Sequence, residues 1–123
     1  SIEIGLKGRA EETVRQENTA QAACSGALPV YGTPFMCALM EKAAWTSIAP
    51  FLADGESTVG TKMEISHLSA SPIGMKVWAE SEVTQVDGRC IELKVSAYDE
   101  KGLIGLIVAN ERFLAKAARK LEG

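Results

Sequence analysis

Three side chains in this sequence are of the types that carry general acid–base or nucleophilic chemistry and stand where a fold can bring them together: Thr33, Glu41 and His67. Glu41 interrupts the otherwise apolar run "TPFMCALMEKAAW" at residues 33–45. A carboxylate set among Cys37, Ala38, Ala44 and Trp45 loses much of its hydration unless something specific stands beside it. It suits a base that activates water, or a direct nucleophile. An imidazole such as His67 orients a partner and moves a proton near neutral pH. Each residue also has a plainer role. Thr33 before Pro34 fits a helix cap, Glu41 a rim carboxylate in solvent, and His67 a satisfied core histidine. Their joint placement on two elements that face each other favours chemistry over those separate roles.

The elements that must position them can be read from periodicity. "SIEIGLKGRAEETV" alternates at Ile2, Ile4 and Leu6 and resumes at Val14, an extended start with a glycine-marked irregularity. Residues 15–32 are small, polar and broken by Gly26, Pro29 and Gly32, which predicts a long irregular connection with room for a short helical turn. One long helix follows over 34–52, opened by Thr33 as cap and Pro34 in the first turn, and ended at "ADGES". It is apolar nearly all round, so other structure must wrap it. "TVGTKMEISHL" places Val59, Thr61, Met63, Ile65 and His67 on one face of a strand. "MKVWAESEV", "CIELKVSAY" and "LIGLIVANERFL" read as further strands, joined by the turns "VDGR" and "DEKG", and the tail "AKAARKLEG" as a short helix.

One buried helix among alternating strands can be covered only by a sheet that curls around it. The expected fold is therefore α+β, a hot-dog arrangement, with residues 1–123 as a single domain. Such a sheet keeps open edges, and pairing two copies edge to edge is the usual remedy. A net charge of −3 and a pI near 5.2 argue against nucleic acid or an anionic membrane surface as partner. Three widely spaced cysteines form neither a disulfide framework nor a zinc motif, and a single histidine cannot build a multi-histidine metal site. A reducing, cytoplasmic setting is the simplest reading, with no segment directing export or membrane insertion.

With these elements in place, "VYGTPFMCALMEKAAW" and "TVGTKMEISHLSASPIG" resemble the fluoroacetyl-CoA thioesterase-like branch of hot-dog thioesterases, over most of the chain. The resemblance implies a homodimer, with a dimer of dimers left open, that hydrolyses an acyl-CoA thioester without a further cofactor or metal. It implies a catalytic set of a threonine before the central helix, a glutamate two turns into it and a histidine on the next strand, matching Thr33, Glu41 and His67. Two features depart from it. Small residues such as Cys24 and Ala27 stand where the fluoroacetyl-specific type has phenylalanines, and Asn110 stands two before Arg112 where relatives often carry histidine.

Applied to a thioester, the helix N-terminus supplies a candidate oxyanion cradle through the amides following Thr33 or Pro34. Gly60 and Thr61 in "VGT", together with Arg112, are the candidate substrate-binding positions. Gly60 permits close approach of a ligand or of the helix, although a plain strand irregularity accounts for it equally well. Residues 33 and 41 on one regular helix lie about 12 Å apart at roughly 1.5 Å per residue, which favours a site at or near a dimer interface. Two other classes share this scaffold: a noncatalytic acyl-CoA or hydrophobic-ligand binder, and a lyase or hydratase. The latter is weakened by the lack of an aspartate beside an inward histidine.

Overall fold

The computed structural model describes residues 2–52, 56–88 and 90–115, with side chains described throughout these except at 56–62 and 108–115. Five strands and one long helix follow one another as β1 (Lys7–Thr13), α1 (Thr33–Ile48), β2 (Glu56–His67), β3 (Lys76–Asp87), β4 (Cys90–Asp99) and β5 (Gly102–Ala115). Short 3-10 turns lie at Gln16–Asn18 and Ala49–Phe51. All strand pairs are antiparallel and the sheet order is β1-β3-β4-β5-β2. This is the expected α+β hot-dog architecture. No helix among the described residues is long and apolar enough to cross a membrane.

Alternation drives the sheet. Val77, Ala79 and Val83 of β3 and Ile91, Leu93, Val95 and Ala97 of β4 are buried against Met36, Leu39, Met40, Ala43, Ala44 and Ile48 of α1. Each of the larger of these side chains contributes about 1.5–3 kcal/mol on leaving water. The helix lies across β1, β3 and β4. Its approach to β1 requires Gly8, because a Cβ there would sit 2.3 Å from the Ala43 carbonyl oxygen. The inward Ser81 hydroxyl donates to that same carbonyl at 2.8 Å, which ties β3 to the middle of the helix.

Several expectations are corrected. The first strand begins at Lys7 rather than at the Ile2–Leu6 alternation, and Ile4 is 67% exposed. The α-helix ends at Ile48, where Pro50, lacking an N–H, leaves only a 3-10 turn. Its wrapping is one-sided, since Ala38, Glu41, Lys42, Trp45 and Thr46 face outward. In β2 the pairing with β5 shifts between Gly60 and Lys62, so one extra residue interrupts the alternation. The face shared by Met63, Ile65 and His67 ends at that bulge. The tail expected to be helical lies outside the described residues beyond Ala115, which is itself the last residue of β5.

Candidate active site

Thr33 was expected to cap α1, and it does not. The cap position belongs to Gly32, in extended conformation at φ −80°, ψ 138°, and Thr33 is the first helical residue with Pro34 behind it. The Thr33 side chain is thereby released from capping and meets the end of β2, where its Oγ1 lies 2.8 Å from Nδ1 of His67. His67 Nε2 is buried with no hydrogen-bond partner among the described residues. The imidazole therefore communicates with its surroundings through Nδ1 and Thr33. Burial pushes its pKa below the ordinary histidine value of 6.5, with the backbone at Ser69 acting the other way. The ring is thus predominantly neutral at pH 7.

The N–H groups of Phe35 and Met36 both donate to the Gly32 carbonyl, each at 3.0 Å. The expected oxyanion donors after Pro34 are therefore engaged within the helix. The first-turn amide left without a partner among the described residues is that of Thr33 itself, at the positive end of the helix dipole.

Two straps hold the couple in place. The segment before α1 is fixed by Gly32 N–H to the Asn18 carbonyl at 3.0 Å and Tyr31 N–H to the Ser71 carbonyl at 2.8 Å. Asn18 is itself buried, its side-chain amide donating to the Thr13 carbonyl at 3.0 Å. The segment after β2 is fixed by Leu68 N–H to the Ile104 carbonyl at 2.7 Å. Between the straps opens a cleft of ≈ 380 Å³ lined by Ala20, Ser25, Val30 and Tyr31 together with Thr33 and His67. Recesses on the outer face of β1, β3 and β4 are lined by solvated charges such as Lys7 and Glu80, and neither Thr33 nor His67 borders them.

Glu41 stands two turns further along α1, exposed, and makes no hydrogen bond or ion pair among the described residues. The single chain thus brings Thr33 and His67 together without Glu41. One turn before it, Cys37 has its thiol pKa raised by burial and then by the Glu41 charge, so it stays a thiol and is a poor nucleophile. The side chains of Gly60, Thr61 and Arg112 lie outside the described ones. The backbone register sets Val59 opposite Arg112 and Gly60 opposite Glu111, with Thr61 at the bulge.

Sequence reasoning missed Tyr31, whose hydroxyl donates to the Glu12 carboxylate and also approaches the Phe35 carbonyl. Burial, and then Glu12, raise its pKa far above the usual phenol range, so it remains a neutral donor. The available signal was Glu12 itself, which falls between Ala10 and Val14 on the inward stripe of β1.

The sequence pattern of the fluoroacetyl-CoA-specific thioesterases matches residues 14–117. A fluoroacetyl-CoA thioesterase of Streptantibioticus cattleyicolor is 36% identical over 97 residues, 74% of this chain and 70% of that protein. Among solved structures, a thioesterase superfamily member from Thermus thermophilus superposes with a TM-score of 0.89 at 31% identity, covering 99% of this chain and 90% of that one. The fluoroacetyl-CoA thioesterase structure superposes with a TM-score of 0.88 at 26% identity, covering 99% and 95%. The chain belongs to the fluoroacetyl-CoA-specific thioesterase family.

Proposed function

We propose that the protein hydrolyses an acyl-CoA thioester at a site where Thr33 and His67 act with Glu41, at or beside the interface of a homodimer. The observation that carries this reading is the 2.8 Å contact between Thr33 Oγ1 and His67 Nδ1 at the mouth of the cleft, beside the free amide at the start of α1. In this reading the thioester oxygen accepts from the Thr33 N–H as negative charge develops. Glu41 either removes a proton from the attacking water or attacks the carbonyl itself, giving an anhydride that water then opens. The C–S bond breaks, the carboxylic acid leaves the cleft, and the proton released by the water reaches the CoA thiolate by way of the neutral imidazole, which takes it up and returns it through the Thr33 hydroxyl.

The dimer is supported by what one chain leaves uncovered. The helix packs chiefly on β1, β3 and β4, β2 is a sheet edge, and Trp45 and Ile65 are 41% and 40% exposed. Gly60, Thr61 and Arg112, adjacent in the β2–β5 ladder, are assigned to the coenzyme A portion of the substrate. The small side chains of Ala20 and Ser25, in a cleft of ≈ 380 Å³, favour an acyl group larger than two carbons.

Thiol release from a panel of short, branched, aryl and long acyl-CoAs tests the reaction. Turnover of at least one member is expected, with Glu41→Ala slower on the order of a hundredfold. Binding without turnover across the panel would instead identify a noncatalytic acyl-CoA carrier. Mixing Glu41→Ala with His67→Ala protein tests the shared site. Partial recovery of activity in the mixture is expected if Glu41 serves its partner's Thr33–His67 pair, whereas no recovery would place all three groups in one protomer.

A further inference from the structure

The inward stripe of β4 runs Ile91, Leu93, Val95, Ala97 and then Asp99, a carboxylate only 5% exposed where the pattern calls for another apolar side chain. A buried carboxylate is retained at such a place only with its lone pairs satisfied. Asp99 Oδ2 accepts from the hydroxyl of Ser71, itself fully buried, at 2.8 Å, and Oδ1 accepts from the Lys101 N–H at 2.8 Å. Ser71 in turn receives the Tyr31 N–H on its carbonyl at 2.8 Å, and a bridge between Val30 and Pro72 lies alongside.

These contacts have a particular placement. Ser71 follows His67 by four residues, and Tyr31 precedes Thr33 by two. Their backbone bond therefore closes a short loop of structure whose other closure is the Thr33–His67 contact. Asp99, the last residue of β4, is the member of this arrangement that an interior strand of the sheet supplies.

We propose that Asp99, acting through Ser71, is a positioning residue that sets the distance between Thr33 and His67. Without the Asp99–Ser71 bond the strap at 68–72 is free to shift, and Tyr31 and the start of α1 shift with it. A displacement of about 1 Å at a reacting pair is enough to cost up to a hundredfold in rate.

The kinetic arm of the test rests on the thioesterase reading; the spectroscopic arm does not. His67 is the only histidine of the chain, so selective ¹⁵N-histidine labelling gives one imidazole whose Nδ1 signal reports its bond to Thr33. Ser71→Ala and Asp99→Ala are expected to move that signal toward the position seen in Thr33→Val. Asp99→Asn, which can still bond both Ser71 and Lys101, is expected to leave it in place. On any acyl-CoA the wild type turns over, kcat should fall about tenfold in the two alanine variants with KM within about twofold, and recover in Asp99→Asn.

Ser71→Cys is near-isosteric with a weaker donor, and it carries the test where Ser71→Ala does not fold, with a shift of the same sign expected. An unmoved Nδ1 signal in folded Ser71 and Asp99 variants would overturn the proposal. So would an equal loss in Asp99→Asn. A wild type without turnover would sink the thioesterase reading while the imidazole signal still decides the positioning role.

Discussion

Replacing Thr33 by valine removes one hydroxyl while keeping the branched shape at the first position of α1. The structure gives this change two separable magnitudes. Among the described residues the hydroxyl is the one hydrogen-bond link between the helix start and the imidazole, at 2.8 Å, and Nε2 is buried without a partner. Losing an acid–base link of this kind costs on the order of a hundredfold in kcat, about 2.7 kcal/mol at 1.36 kcal/mol per decade. Stability should respond far less. Gly32 holds the cap position, so no cap is lost, and the bond itself lies at an exposed site where its net contribution is about 0.5–1 kcal/mol. The assay is steady-state thiol release on the best acyl-CoA of the panel, beside thermal unfolding of the same preparation. A hundredfold fall in kcat with Tm lowered by no more than about 4 °C is expected. Thr33→Ser, which keeps the hydroxyl, should stay within about threefold of wild type on the same reasoning. Activity near wild type in Thr33→Val would refute the role of the couple, and a collapse in Tm would return Thr33 to a structural cap.

Other outcomes follow from the same geometry. Gly8→Ala would drive a methyl to 2.3 Å from the Ala43 carbonyl and 2.8 Å from the Ser47 amide, both helix backbone, and should cost about 3 kcal/mol or more in a denaturant titration. Tyr31→Phe leaves the Glu12 carboxylate without its donor and should cost about 1.5–3 kcal/mol by the same measurement. Burial lowers the His67 pKa, so the folded chain binds its proton less readily than the unfolded chain does. Its contribution to stability is full above the unfolded value of about 6.5 and is lost as pH falls through the lower folded value, and His67→Asn should remove that part of the pH dependence of unfolding. If the neutral ring is the active form, the acid limb of kcat/KM should also lie below 6.5.

The parts of this molecule that were legible in its sequence are those that depend on period. The stripes Val77, Ala79, Val83 and Ile91, Leu93, Val95, Ala97 face inward as their alternation predicts, and the chain turns at Gly88 and at "DEKG" as their residue types require. Strand ends were less legible. Ile2, Ile4 and Leu6 alternate like a strand, yet the ladder with β3 begins only at Lys7, because the chain turns at Gly5, with φ 96°, even though Gly5 N–H and the Leu6 carbonyl still bond to Val83. The Thr33–His67 contact was legible in composition and not in geometry. Thr-Pro is a capping signature by local preference, and only the path of the chain through Tyr31 and Gly32 moves the cap back one residue and frees the hydroxyl. Glu12, Ser81 and Asp99 escaped notice because a search for apolar period passes over the polar residue that keeps the phase. Each of the three lies on an inward stripe and bonds to the helix or to the strap beside the site. An acid or hydroxyl found in phase with an apolar stripe is thus a signal that such a reading can use.

The most direct measurement is CoA thiol release by the wild type and by His67→Ala, side by side on the same panel of thioesters. If the couple at the head of α1 performs the reaction, the wild type turns over at least one substrate and the variant is slower on it by about two orders of magnitude while still folding. Equal rates in the two proteins would contradict the account.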